Sequence, residues 1–110
     1  MTNVVGVTFS SQEPAGSPRD CSSVAEVMLQ DGRIFSILAA TPSWFEKESK
    51  RLGLRFYFGP AILFVREMDP AVVRTAVEKM AALSDAWLCR YDTPRTTLSK
   101  VLSDFKAAHP

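Results

Sequence analysis

From Val24 to Ala40 the chain alternates apolar and polar residues around one Asp31-Gly32 pair. That alternation is the signature of half-buried strands, expected over 24–30 and 33–40. Asp-Gly supplies the positive φ angles of a two-residue type I′ turn, so the two strands are expected to form a hairpin. The period then changes. Thr41 is a helix cap with Pro42 in the first turn, and Ser43 followed by Glu46 offers a second cap. The helix is expected to run through Leu52 and stop at Gly53, with Lys50 and Arg51 in the last turn where the helix dipole favours cations.

The same punctuation returns 28 residues later, at Gly59-Pro60 and Asp69-Pro70. Residues 54–58 and 61–66 are expected to pair as a second hairpin. Asp69 caps a second helix whose apolar residues Val72, Val73, Ala76, Val77, Met80 and Leu83 form one stripe. Residues 86–91 read as a short strand or extended apolar segment. Asp92-Thr93-Pro94 breaks the chain, and a last helix over about 96–107 carries Leu98, Val101, Leu102 and Phe105 on one side. Upstream, 4–9 suggests a short strand, whereas 10–23 is rich in serine, proline and glycine and reads as a flexible loop.

These elements predict an α+β fold. Its core is of ββαββα type, with an antiparallel sheet, helices packed on one face, and an extra C-terminal strand-like segment and helix. Residues 1–23 form an N-terminal strand plus loop, and 24–110 a single α+β domain. A period of 28 suggests a duplicated ββα unit, but side-chain facing argues against it. With two-residue turns in both hairpins, the apolar face of the second falls on the mixed face of the first.

The faces themselves carry the functional expectation. In the first hairpin the second face would hold Met28, Phe35 and Ile37 beside Glu26 and Arg33. In the second it would hold Ile62 and Phe64 beside Arg55, Tyr57 and Arg66. Exposed apolar groups ringed by charge mark a contact surface. Three covers fit: the chain's own Trp87, Tyr91 and final helix; a second copy; or a ligand between sheet and helix. Phe35, Arg55, Tyr57, Ile62, Phe64, Arg66 and Trp87 are therefore the expected binding or interface residues. Trp44 and Phe45, adjacent on a helix, point about 100° apart, so one is expected in the core and the other on a loop or partner.

Composition narrows the chemistry. The 110 residues are 46% hydrophobic and 23% charged, with 13 basic against 12 acidic side chains. A net charge of +1 gives no field to steer nucleic acid or an anionic membrane, and no apolar run is long enough to span a bilayer. Lys47, Lys50 and Arg51 interleave with Glu46 and Glu48, which describes a solvated helix face rather than a nucleic-acid groove. The one histidine, His109, is next to last, so triad and histidine–zinc chemistry lack a base or ligand. Neither Cys21 nor Cys89 stands in a metal-ligand or disulfide framework, and no glycine-rich phosphate loop is present. Asp69 and Glu67 read as a cap and a strand end, not as a catalytic pair with Glu26.

No catalytic residue, metal ligand or cofactor is expected. The sequence predicts a small, bacterial-type cytoplasmic interaction module that works as a homodimer through its mixed apolar and arginine face. The alternative is a small-molecule site, for an anion held by Arg55 or Arg66, between the sheet and the last helix.

Overall fold

The computed structural model describes residues 3–13, 17–94 and 96–110. The elements are β1 (Val4–Glu13), β2 (Ser22–Leu29), β3 (Ile34–Ala40), α1 (Pro42–Leu52), β4 (Leu63–Phe64), α2 (Pro70–Leu83), α3 (Asp85–Tyr91) and α4 (Leu98–Ala108). Strands and helices together make an α+β fold. The four strands lie in sequence order in one sheet. β1, β2 and β3 are antiparallel neighbours, but β4 runs parallel to β3, so the sheet is mixed rather than purely antiparallel. β1 continues to Glu13 and β2 begins at Ser22, so both strands cut into the expected 10–23 loop, and residues 14–16 lie outside the described residues.

The first hairpin forms, in a register one residue away from the expected one. Met28 opposes Ile34, and the Leu29 N–H donates to the Arg33 carbonyl at 2.9 Å. The loop is therefore three residues, closed by the Gly32 N–H on the Leu29 carbonyl at 3.0 Å, with Gly32 at φ 90°. This is a turn ending in a left-handed residue, the next commonest hairpin solution after the two-residue loop. One extra loop residue reverses the facing of β3 relative to β2. Phe35 and Ile37 join Ala25, Val27 and Leu29 in the core, while Ile34 faces the other way with Met28.

Two apolar clusters result, one on each side of the sheet. Odd-numbered residues of β2 and β3 pack with Val73, Val77 and Ala81 of α2 and Leu88 of α3. Even-numbered Val24, Leu38 and Ala40 pack with Trp44 of α1 and with Leu98 and Leu102 of α4. Helices thus cover both faces, where one was expected, because β3 presents Ile37 to one side and Leu38 to the other. Past Leu38 towards the hairpin tip no described helix covers the second face, and Met28 and Ile34 stay about half exposed.

Two other expectations are corrected. Residues 54–66 do not form a hairpin: the chain is irregular from Leu54 to Ile62, and only Leu63–Phe64 joins the sheet, beside Ala39 and Ala40. Residues 85–91 are helical, not strand-like. Ser84 caps that helix, its Oγ accepting the Ala86 N–H at 3.1 Å, and Leu88 alone turns fully inward. Strand-like pairing is left to the next residues. Asp92 bridges Ile37, its Oδ1 accepts the Ser36 N–H at 2.8 Å, and the Thr93 N–H donates to the Ser36 carbonyl at 2.7 Å.

Candidate functional site: an aromatic groove beside α1

The irregular segment is aimed by the end of α1. Thr41 starts the helix, its Oγ1 accepting the Trp44 N–H at 3.4 Å and the Cys21 N–H at 3.1 Å. This anchorage sends Trp44 into the core and leaves Phe45 half-buried on the outer side. At the other end Gly53 takes φ 74°, with its N–H on the Lys50 carbonyl and the Leu54 N–H on the Ser49 carbonyl at 2.8 Å. Those two bonds are the Schellman closure, which folds the chain back along the helix it has just left. Leu54 and Tyr57 consequently pack in the α1/α4 cluster, and Arg55, Phe56 and Phe58 are left outside.

Tyr57 is the pivot. Its ring meets Phe45 edge-on at 6.0 Å and Phe105 of α4 at 5.2 Å, and its hydroxyl donates to the Pro60 carbonyl at 2.7 Å. Burial pushes this phenol above its ordinary value, so it stays a neutral donor. The bond ties off the Gly59-Pro60 turn, in which Gly59 adopts φ 138° and a Cβ would lie 3.4 Å from the Tyr57 hydroxyl. Beyond the turn, Ile62 and Phe64 come back beside Phe45, whose ring meets Phe64 edge-on at 5.4 Å. The result is an open groove of about 540 Å³ walled by Phe45, Tyr57, Phe58, Pro60, Ile62 and Phe64. Phe58 is 61% exposed and Phe64 48%.

Phe56 and Phe58 stand parallel at 6.2 Å, and Phe105 meets both edge-on. His109 stacks on Phe105 at 4.3 Å, with its Nδ1 3.0 Å from the Phe105 carbonyl. Between this stack and the end of α1 lies a second, smaller cleft of about 250 Å³, bordered by Gly53, Arg55, Phe56, Phe105, Lys106 and His109.

Of the residues expected to act, Tyr57, Ile62 and Phe64 come together, and Arg55 borders the adjoining cleft. Arg66 is exposed just past β4. Phe35 belongs to the core, with the Arg33 guanidinium 5.8 Å from its ring centre. Trp87 is on α3, beneath the Arg90 guanidinium at 5.0 Å and across the sheet from the groove. Three further aromatics belong to the groove and its stack: Phe58, which alternation over 54–58 assigned to a core face; Phe105, expected in the apolar stripe of the last helix; and Phe45, one of an adjacent pair with Trp44. The sequence signals were the density of aromatics around Gly59-Pro60 for Phe58 and the divergent Trp44–Phe45 pair for Phe45.

The remaining motifs are structural. Lys47 reaches Asp20 at 2.5 Å, Lys50 reaches Glu46 at 3.1 Å, and Arg51 pairs with Glu48. Asp69 accepts the Ala71 N–H at 2.8 Å, as a helix cap does. Among the described residues no three His, Cys, Asp or Glu side chains gather as metal ligands. Among them, too, no helix is long and apolar enough to cross a membrane. No family model, curated protein or solved structure matches this chain.

Proposed function

We propose that this protein is a non-enzymatic interaction module of the cytoplasm that works as a homodimer and holds a partner in the aromatic groove beside α1. The observation that carries this reading is the exposure of Phe58 and Phe64 on a pre-formed wall braced by Tyr57. Large aromatics left in water beside a rigid turn are the composition of an interface core, and Arg55 in the adjoining cleft brings a charge close to it. The groove suits an extended apolar or proline-bearing segment, which stacks on aromatic walls without needing a deep pocket.

The test is proximity crosslinking in cells, with the wild type against Phe58→Asp and Phe64→Asp. Phe58 is largely and Phe64 half exposed, so both variants should stay folded, with the wild-type circular dichroism and a cooperative melt. Loss of the same crosslinked partners from both variants is the expected result. An unchanged partner set in two folded variants would overturn the reading.

A second reading rests on the smaller cleft. Arg55, Lys106 and His109 bring nitrogen donors to one aromatic-lined space, the chemistry that takes an aromatic carboxylate or a similar anion. A thermal-shift series with benzoate and its hydroxylated derivatives separates the two readings. Stabilisation of the wild type that disappears in Arg55→Ala favours the cleft over the groove.

A further inference from the structure

β1 is an end strand of the sheet, and among the described residues none pairs with its outer edge; the hydrogen-bonding pattern of the first hairpin shows which of its groups face outward. Leu29 donates to Arg33 and accepts from Gly32, so both of its backbone polar groups point to the β3 side. Backbone groups alternate sides along a strand, so Val27 and Ala25 also bond towards β3. Their opposites on β1 are Val7 and Phe9. These two therefore sit in non-hydrogen-bonded pairs and direct their N–H and C=O groups away from β2. Val4, opposite Leu29, is placed alike, and its carbonyl accepts Arg74 Nη2 at 3.3 Å. No described residue hydrogen-bonds to the outward groups of Val7 or Phe9.

Natural edge strands are blunted by lysine, proline, a bulge or an overlying element. Val4–Ser10 has no charged residue and no proline; β1 has register shifts between Val4 and Gly6 and between Ser10 and Glu13, and the stretch between them, Gly6 to Ser10, pairs regularly with β2 and is left unblunted. Val7 and Phe9 are only half-buried under the α2 side, and Thr8 is exposed on the other face.

We propose that β1 pairs edge to edge with β1 of a second copy, antiparallel about a two-fold axis at Thr8. This assigns an interface to the homodimer of the preceding section and rests on that reading for the number of chains; the groove plays no part in it. A second copy is the occupant that the edge itself specifies. In an antiparallel pair centred on Thr8, Val7 of each chain faces Phe9 of the other, and all four outward donors find acceptors. On the α2 side the same register makes two Val–Phe cross-strand pairs. On the other face it sets Thr8 against Thr8 in the close, non-hydrogen-bonded position, a favourable cross-strand pairing. An isologous contact of this kind closes on itself and leaves the β4 end and the groove free.

The experiment combines light scattering after size exclusion with two substitutions of exposed Thr8. The wild type is expected near twice the chain mass of 12.2 kDa. Thr8→Lys places like charges directly opposite and should raise the dimer dissociation constant about tenfold or more, with unchanged circular dichroism. Thr8→Cys, in a Cys89→Ser background because Cys89 is exposed, should form an interchain disulfide on mild oxidation, and Thr8 unchanged in that background should not. A wild type that stays monomeric at all concentrations overturns both the homodimer and this interface. A dimer that survives Thr8→Lys and yields no Thr8→Cys crosslink overturns the β1 interface alone and sends the search for the contact to another face.

Discussion

Residues 24–53 and 54–83 carry the same punctuation: an apolar stretch split by a glycine turn, then a capped helix with proline in its first turn. The first half folds as a hairpin and helix. The second keeps the helix and loses the hairpin. The difference lies at the turn and just before it. Asp31-Gly32 leaves every N–H free to bond, and the Leu29–Arg33 pair closes the ladder. At Gly59-Pro60 the proline has no N–H, and its carbonyl is engaged by the Tyr57 side chain. The Schellman closure at Gly53 has by then turned residues 54–58 onto α1 and α4, where aromatic packing replaces a strand partner. Similar apolar content thus becomes buried core in one half and a wall of exposed rings in the other.

The largest expected effect tests that contrast directly. Ile37 is fully buried, so Ile37→Ala should cost about 2–5 kcal/mol in urea unfolding. Phe58→Ala, removing a bigger but mostly exposed side chain, should cost less than about 1 kcal/mol. Equal costs would mean that the groove residues are core and that the contrast is false.

Next come the two turns. Gly59 at φ 138° and Gly32 at φ 90° both lie where a Cβ is strained. Gly59→Ala should lower stability by about 1–3 kcal/mol and Gly32→Ala by about 1–2 kcal/mol, read from thermal melts. Gly59→Ala should also disturb the Tyr57–Pro60 bond, because the new methyl meets the hydroxyl at 3.4 Å. A larger loss at Gly32 would reverse the ranking of the two turns.

Tyr57→Phe should cost about 0.5–1.5 kcal/mol at neutral pH through the lost hydrogen bond. Its pH signature is more specific. The phenol is raised above 10.0 by burial, so the stability it contributes is complete below pH 10.0 and declines as pH rises through the folded-state value. Denaturation profiles should therefore show an alkaline decline that Tyr57→Phe flattens.

The smallest effect is at the ordered hairpin. Asp31 Oδ1 accepts the Arg33 N–H at 3.1 Å, and Oδ2 meets its guanidinium at 2.8 Å. The backbone N–H first, then the guanidinium, hold this carboxyl below 3.8. Its contribution is complete above pH 3.8 and is lost as pH falls through the lower folded-state value. An NMR titration should place Asp31 below 3.8, and Arg33→Ala, which keeps the backbone N–H and removes the guanidinium, should move it only part of the way back.

Legibility in the sequence followed the range of each interaction. Caps are satisfied within two or three residues, and Thr41, Asp69 and Gly53 all act where the pattern placed them. Long amphipathic stripes were equally plain. The candidate site was half legible: the mixed apolar and polar run pointed to Tyr57, Ile62 and Phe64, but reading it as a strand put Phe56 and Phe58 in the core. Phe35 was misplaced by one loop residue, because a strand's facing depends on the closing pair and Asp-Gly is compatible with more than one. For Trp87 it was the element that differed, helix in place of strand. A six-residue, mostly apolar stretch such as 86–91 reads as strand or helix alike, and here the Ser84 cap and Leu88 decided for helix.

By itself, then, the sequence determined the α+β class, the first hairpin, and the starts and stops of the principal helices, since alternation, caps and breakers are local physics. The tertiary structure alone decided the hairpin register, the two-sided burial of the sheet, and the parallel docking of β4. It also decided that the aromatics around Gly59-Pro60 form an exposed wall. Each of those depends on which distant surface a short segment meets, and short-range periodicity carries no record of that.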